Sequence, residues 1–231
     1  MLSNKMKAAA SGGGPAGPQY AVGFNGATTL INCGSYAGLD NLPTADFTLE
    51  GWFRIPVTGV NQIFFAKGKN GSGGYRFYIN TAGNRVQLQA SYDGTDINSN
   101  FVIPTVANDW HHLAFVYDFG TLSWSLFFDG IQKGSIAGVG NYEADTIYNL
   151  VIGMNYNNGL FPFAGKVAWV RGSRTNRYTA SFTPAAKDDP PPIDANTIEQ
   201  WNMNEGSGST AAAMLNPLNN GAITDGSWIA L

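Results

Sequence analysis

The chain has 231 residues, of which 13% are charged and 13% aromatic, with 29 glycines and a formal net charge of −3. That length suits one large domain with a substantial core, and a second full domain is not expected. The acidic balance excludes the electrostatic footprint of a protein that binds nucleic acid or anionic lipid; no apolar run is long enough to span a membrane, and the lone Cys33 excludes an internal disulfide.

Residues 1–18, ending GGGPAGP, have the Ala/Ser/Gly/Pro composition of a flexible arm. Their two lysines are not followed by a leucine-rich run, so no secretory signal is expected. From Gln19 the dominant signal is alternation with period two. In FTLEGWFRI, Phe47, Leu49, Phe53 and Ile55 share one face and Thr48, Glu50, Trp52 and Arg54 the other, which predicts a half-buried strand. GYRFYIN sets Tyr75, Phe77 and Ile79 on one side, and a turn at Gly83-Asn84 leads into RVQLQA with Val86, Leu88 and Ala90, which predicts a hairpin. WHHLAFVYD, TLSWSLFFDG with its Asp129-Gly130 turn, LVIGM and FAGKVAWV continue the pattern at close spacing, and no segment carries a helical period of useful length. The fold class is therefore all-β, a two-sheet antiparallel sandwich or jelly roll.

FTLEGWFRIP, WHHLAFVYD, WSLFFDGIQKG and IGMNYNNGLFPFAGKVAWVRGS stand in an order and spacing similar to those of the concanavalin A-like, laminin-G-like jelly rolls. The resemblance covers residues 19–184. The closing stretch VRGSRTNRYTASFTP, residues 170–184, resembles the end of laminin-G-like domains found in bacteriophage particle proteins. Under that resemblance Tyr178 and Phe182 pack back over the sandwich, with Arg171, Arg174 and Arg177 at its rim. Residues 185–196, carrying KDDPPPIDAN, read as a proline-stiffened linker. In residues 197–231, Ile198, Trp201, Met203, Ile223 and Trp228 are too many apolar groups for a short piece to expose, which favours strands that complete this sandwich or a neighbour's.

Catalytic chemistry finds little support. A retaining glucanase needs two carboxylates on one face roughly 5 Å apart, and the nearest imitation of such a strand is Glu143 with Asp145. His111 and His112 are adjacent, so a strand turns them to opposite faces and they cannot share a metal. Cys33 reads as a small buried hydrophobe. The expectation is a protein without enzymatic activity and without a required cofactor.

Binding fits better. The laminin-G-like resemblance admits calcium at one rim, and Asp129, Asp145 and Asn155 are loop oxygens suited to it; turn formation is the readier account of each taken alone. A glycan site asks for an aromatic face beside amides, which Tyr156, Asn157 and Asn158 supply, with Tyr142 and Tyr92 as further loop aromatics. From the resemblance the expected setting is the surface of a virion. The protein would be a decoration or tail accessory subunit made in the host cytoplasm, a homo-oligomer touching other capsid or tail subunits, with surface polysaccharide as a further partner. The alternative is a free carbohydrate-binding module.

Overall fold

The structure of the protein, a computed structural model, describes residues 20–40, 45–68, 74–92, 95–138, 145–155 and 159–231, without the side chains of 37 and 92–97. In chain order the strands are β1 (Tyr20–Gly23), β2 (Leu30–Asn32), β3 (Phe47–Ile55), β4 (Gln62–Gly68), β5 (Gly74–Ile79), β6 (Arg85–Tyr92), β7 (Thr95–Val102) and β8 (Asp109–Asp118). They are followed by β9 (Ser123–Phe128), β10 (Ile131–Ala137), β11 (Val151–Ile152), β12 (Lys166–Ser173), β13 (Thr197–Trp201), β14 (Thr210–Ala211), β15 (Gly221–Thr224) and β16 (Ser227–Ala230). One helical turn, α1 (Ala37–Asp40), interrupts them.

These strands form two antiparallel sheets. Sheet A runs β10-β9-β8-β3-β12-β1-β16, with β13 also paired to β12; sheet B runs β14-β15-β2-β11-β4-β5-β6-β7. The C-terminal strands enter both sheets: β13 pairs with the second half of β12, β16 with β1, and β15 with β2. Closely spaced short strands suit such a meander because each hairpin closes locally. The Asp129-Gly130 turn shows how: φ of 51° and 75° give the twist that a two-residue hairpin requires, and Phe128 pairs with Ile131 across it. The β5–β6 hairpin closes differently from the expected Gly83-Asn84 turn. Its loop runs from Asn80 to Asn84, because the Asn80 side-chain oxygen accepts from the backbone N–H groups of Asn84 and Arg85.

The core lies between the sheets. Phe47, Leu49, Phe53, Phe115, Trp124 and Leu126 from sheet A meet Phe65, Tyr75, Phe77, Val86 and Leu88 from sheet B, all buried. Phe77 and Phe115 stack across the gap with ring centres 3.7 Å apart. Interdigitated aromatics of this kind make the sandwich stiff enough to hold surface groups in fixed rows.

The outer face of sheet A corrects an expectation. Alternation predicted that Thr48 and Glu50 of β3 face solvent, yet both are buried. The cause is a third layer: after β12 the chain turns back over this face, and Tyr178 and Phe182 pack on Ala114, Val116 and Phe127. The two covering rings are parallel, 3.5 Å apart. Arg171, expected at the rim, is buried under the same layer, whereas Arg174 is exposed. Residues 185–196 continue the strap. Trp52 and Trp169 donate their indole N–H groups to the carbonyls of Ala185 and Ala186, and Asp194 pairs with Arg177 through both carboxylate oxygens.

Candidate functional site

The three residues expected to hold calcium lie at the margins of both sheets. Asp129 sits in the β9–β10 turn of sheet A, where one carboxylate oxygen is 2.9 Å from His111 Nδ1 and the other accepts from the His112 backbone N–H. Asp145 and Asn155 lie in the segments that flank β11 of sheet B, one before it and the other after it. Asp145 Oδ1 accepts from the N–H groups of Ile147 and Tyr148, an Asx turn that leads the chain towards β11, while its buried Oδ2 has no hydrogen-bond partner among the described residues. Asn155 is buried and closes a loop, its backbone N–H donating to Leu160 and its carbonyl accepting from Gly159. Among the described residues no group of three or more His, Cys, Asp or Glu side chains converges. Tyr142, Glu143, Tyr156, Asn157 and Asn158 lie outside the described residues, and Tyr92 ends β6 with its side chain outside the description.

The outer face of sheet B carries the chemistry that those loop residues were expected to supply. Tyr75, Phe77, Val86, Leu88 and Phe101 point into the core, so the residues between them point out. Strand register then builds two rows across β5, β6 and β7: Arg76–Gln89–Asn98 and Tyr78–Gln87–Asn100. Neighbours within such a row stand about 5 Å apart. Arg76 donates to Gln89 Oε1 at 3.1 Å, which orients that amide. Beside the second row, the Phe161 ring lies nearly parallel to Tyr78, 5.8 Å away and inclined by 14°. Burial pushes the Tyr78 phenol above its ordinary value, with the Arg76 charge opposing, so at neutral pH it keeps its proton and can donate. Asn98 and Asn100 are exposed, Gln87 and Gln89 are half-buried, and Arg76 is buried, so that it orients Gln89 from beneath. Side-chain amides offer both donors and acceptors, and the half-buried Tyr78 adds a hydroxyl and an aromatic body; together they match the mixed hydroxyl and C–H surface of a sugar ring. These residues do not stand out in the sequence because they lie on strands, where alternation alone accounts for them. The signal was present in RVQLQA, whose outward positions are glutamines where Lys or Glu would serve solubility equally well.

A second polar cluster is sealed. Under the Tyr178 and Phe182 cover, Glu50 Oε1 accepts from Arg171 Nε and Nη2 at 2.8 and 2.6 Å, and Oε2 accepts from the Tyr178 hydroxyl at 2.8 Å. His112 Nε2 is 3.2 Å from Glu50 Oε2. Burial alone would raise the Glu50 carboxyl, but the His112 contact and the Arg171 charge outweigh it and hold it below the usual range. Burial, together with the Glu50 charge, pushes the Tyr178 phenol up, which keeps it a donor. These side chains are of the kind that general acid–base chemistry uses, yet Glu50 is 1% exposed, so no substrate reaches it. They fasten the cover to sheet A. His111, on the opposite face of β8, packs against Phe128 with the rings inclined by 30°. Cys33 is buried, and burial followed by the Glu199 charge pushes its thiol up, which leaves it inert.

The model of the concanavalin A-like lectin/glucanases superfamily, in its laminin-G form, matches residues 25–175. Among solved structures, a candidate carbohydrate-binding protein from Bacteroides ovatus superposes with a TM-score of 0.69 at 18% identity, over 94% of this chain and 61% of that one. The present chain thus spans less than two thirds of that protein. The CBM40 domain of the Ruminococcus gnavus IT-sialidase, bound to α2,6-sialyllactose, matches at 0.57 and 12% identity over 69% of this chain and 92% of its own. A heptameric SAP-like pentraxin from Limulus polyphemus matches at 0.52 and 12% identity over 70% and 79%. At these identities the likeness is one of fold. No curated protein matches the sequence. With the family model spanning more than half of the chain and both sheets in place, the protein belongs to the concanavalin A-like lectin/glucanases superfamily.

Proposed function

We propose that the protein is a carbohydrate-binding module that holds glycans on the outer face of sheet B and does not cleave them. The observation that carries this reading is the pair of rows Arg76–Gln89–Asn98 and Tyr78–Gln87–Asn100 with Phe161 beside them. Such a surface is rigid, amide-rich and partly aromatic, which is what orients sugar hydroxyls and packs against the ring. Among the fold relatives, the CBM40 domain is bound to a sialyllactose and the Bacteroides protein is a candidate carbohydrate-binding protein, which adds support. Binding without turnover is supported by the burial of Glu50, which is spent on Arg171, His112 and Tyr178 beneath the cover.

The test is a glycan array probed with the whole chain, with calcium and with chelator, followed by a reducing-end assay on every glycan retained. Retention of a defined set with no new reducing ends is expected. An array with no retained glycan under either condition would remove the reading, and turnover would replace it with an enzyme.

A further inference from the structure

On the other sheet, strand register draws one continuous row across five strands at the end that the strap leaves uncovered: Ser227, Gly23, Lys166, Arg54 and Trp110. All five lie on the outer face, because Val22, Phe53, Val167 and Leu113 point into the core. Two features of the row ask for a ligand. Lys166 and Arg54 stand directly opposite each other, a like-charge pair that disfavours the sheet unless something compensates. Among the described residues neither forms an ion pair, although Asp225 lines the same space.

The space is a cleft of about 230 Å³ lined by Ser227, Gly23, Lys166, Arg54 and Asp225, with Asn108 also on its wall and Trp110 outside it. That is below the pocket size of drug-like ligands and suits one ring or one charged group. Its floor is kept low by glycine: a Cβ on Gly23 would stand 2.8 Å from Ser227 Oγ, and one on Gly165 would run into the Arg54 carbonyl. The Arg54 Nε donates to the Asn108 carbonyl at 3.0 Å, which fixes the guanidinium plane and leaves its Nη groups for a partner. Next along the row, Trp110 is only partly buried and packs with Trp52 around Trp169.

We infer that this cleft binds an acidic sugar residue, a pyranose bearing a carboxylate. The carboxylate would lie between Arg54 and Lys166, which the guanidinium fork and ammonium favour. Ring hydroxyls would donate to Asp225, and Trp110 would flank the ring. Asp225 is what favours a sugar over a bare anion, since its carboxylate accepts from ring hydroxyls that sulfate lacks. The inference rests on the carbohydrate reading but on a different face of the molecule, separated from the amide rows by the whole sandwich.

The test is calorimetric titration of the full chain and of the double variant Arg54→Gln/Lys166→Gln with three probes: trigalacturonate, neutral galactotriose and sodium sulfate. The neutral glycans retained on the array are titrated in parallel. Trigalacturonate is expected to bind the natural chain, to weaken as salt rises from about 0.05 to about 0.5 M, and to lose at least about tenfold in affinity in the variant. Galactotriose and sulfate at the same concentrations are expected to be weaker, and neutral array glycans to bind both chains alike. Amide shifts at Gly23 and Gly165 in the natural chain map the site independently of the variant's folding. The inference is overturned if trigalacturonate does not bind, if the variant binds it equally well, or if sulfate binds as tightly. Retained neutral glycans in any of those cases leave the sheet B reading standing, and loss of every sugar removes both.

Discussion

Arg171 grips a single oxygen of Glu50 with two N–H donors, and the pair joins the backs of two neighbouring strands, β12 and β3, beneath a layer that excludes water. The second Glu50 oxygen reaches up to the cover through Tyr178. Removing one partner of a buried pair leaves the other uncompensated. Glu50→Gln or Arg171→Met should therefore lower stability by about 3–5 kcal/mol, read as a shift in the denaturant midpoint with an unchanged slope. Replacing both at once, Glu50→Leu with Arg171→Met, should recover most of that loss because no buried charge remains.

The same cluster sets an acid limit. The folded-state value of Glu50 is depressed below that of the unfolded chain, about 4.3. The unfolded state therefore binds more protons in that window, and the stabilisation is fully present above about pH 4.3 and lost as pH falls through the lower, folded-state value. Stability measured from neutral pH downward should hold until about pH 4 and then fall. In Glu50→Gln the fall should be shallower, since the group that takes up the proton is gone.

Gly130 lies under the cover with φ of 75°, and a Cβ there would run into the Phe182 carbonyl. Gly130→Ala should lift the cover while sparing the two sheets. Tryptic cleavage after Arg174 and Arg177 is expected to accelerate, with near-native content of β structure by circular dichroism. A variant cleaved at the natural rate would show that Phe182 accommodates the methyl group.

Lys67 is 1% exposed, with its ammonium 2.9 Å from Asp40 Oδ1 and donating to the Tyr148 carbonyl. It ties α1 and the segment before β11 to the end of β4. Lys67→Met should lower stability by about 2–3 kcal/mol, less than for a fully buried pair because Asp40 keeps some contact with solvent. Thermal unfolding of Lys67→Met beside Lys67→Arg checks the charge, since the arginine should retain most of it.

Much of the fold was legible because alternation is a direct consequence of pleat geometry: Tyr75, Phe77 and Ile79 were placed on the core face by period alone, and the core holds them. The outer face of sheet A departs from that expectation for the same reason. Period two separates faces but does not say which face a distant segment will cover, and residues 174–196 cover Thr48, Glu50 and Arg171 from more than a hundred positions away along the chain for β3. The closing motif that carried the phage resemblance is spent on this cover, through Arg177, Tyr178 and Phe182. The amide rows were invisible for a related reason: Gln87, Gln89, Asn98 and Asn100 become one surface only when β6 and β7 pair in register.

The measurement that tests the central claim most directly is the affinity of the best array glycan for the natural chain and for Gln87→Ala/Asn100→Ala, two outward amides whose removal leaves the Arg76–Gln89 bond intact. With two sugar hydrogen bonds removed, affinity should fall about tenfold or more while the melting temperature stays within about 2 °C. Equal affinity in the two chains would contradict the account and move the glycan off the outer face of sheet B.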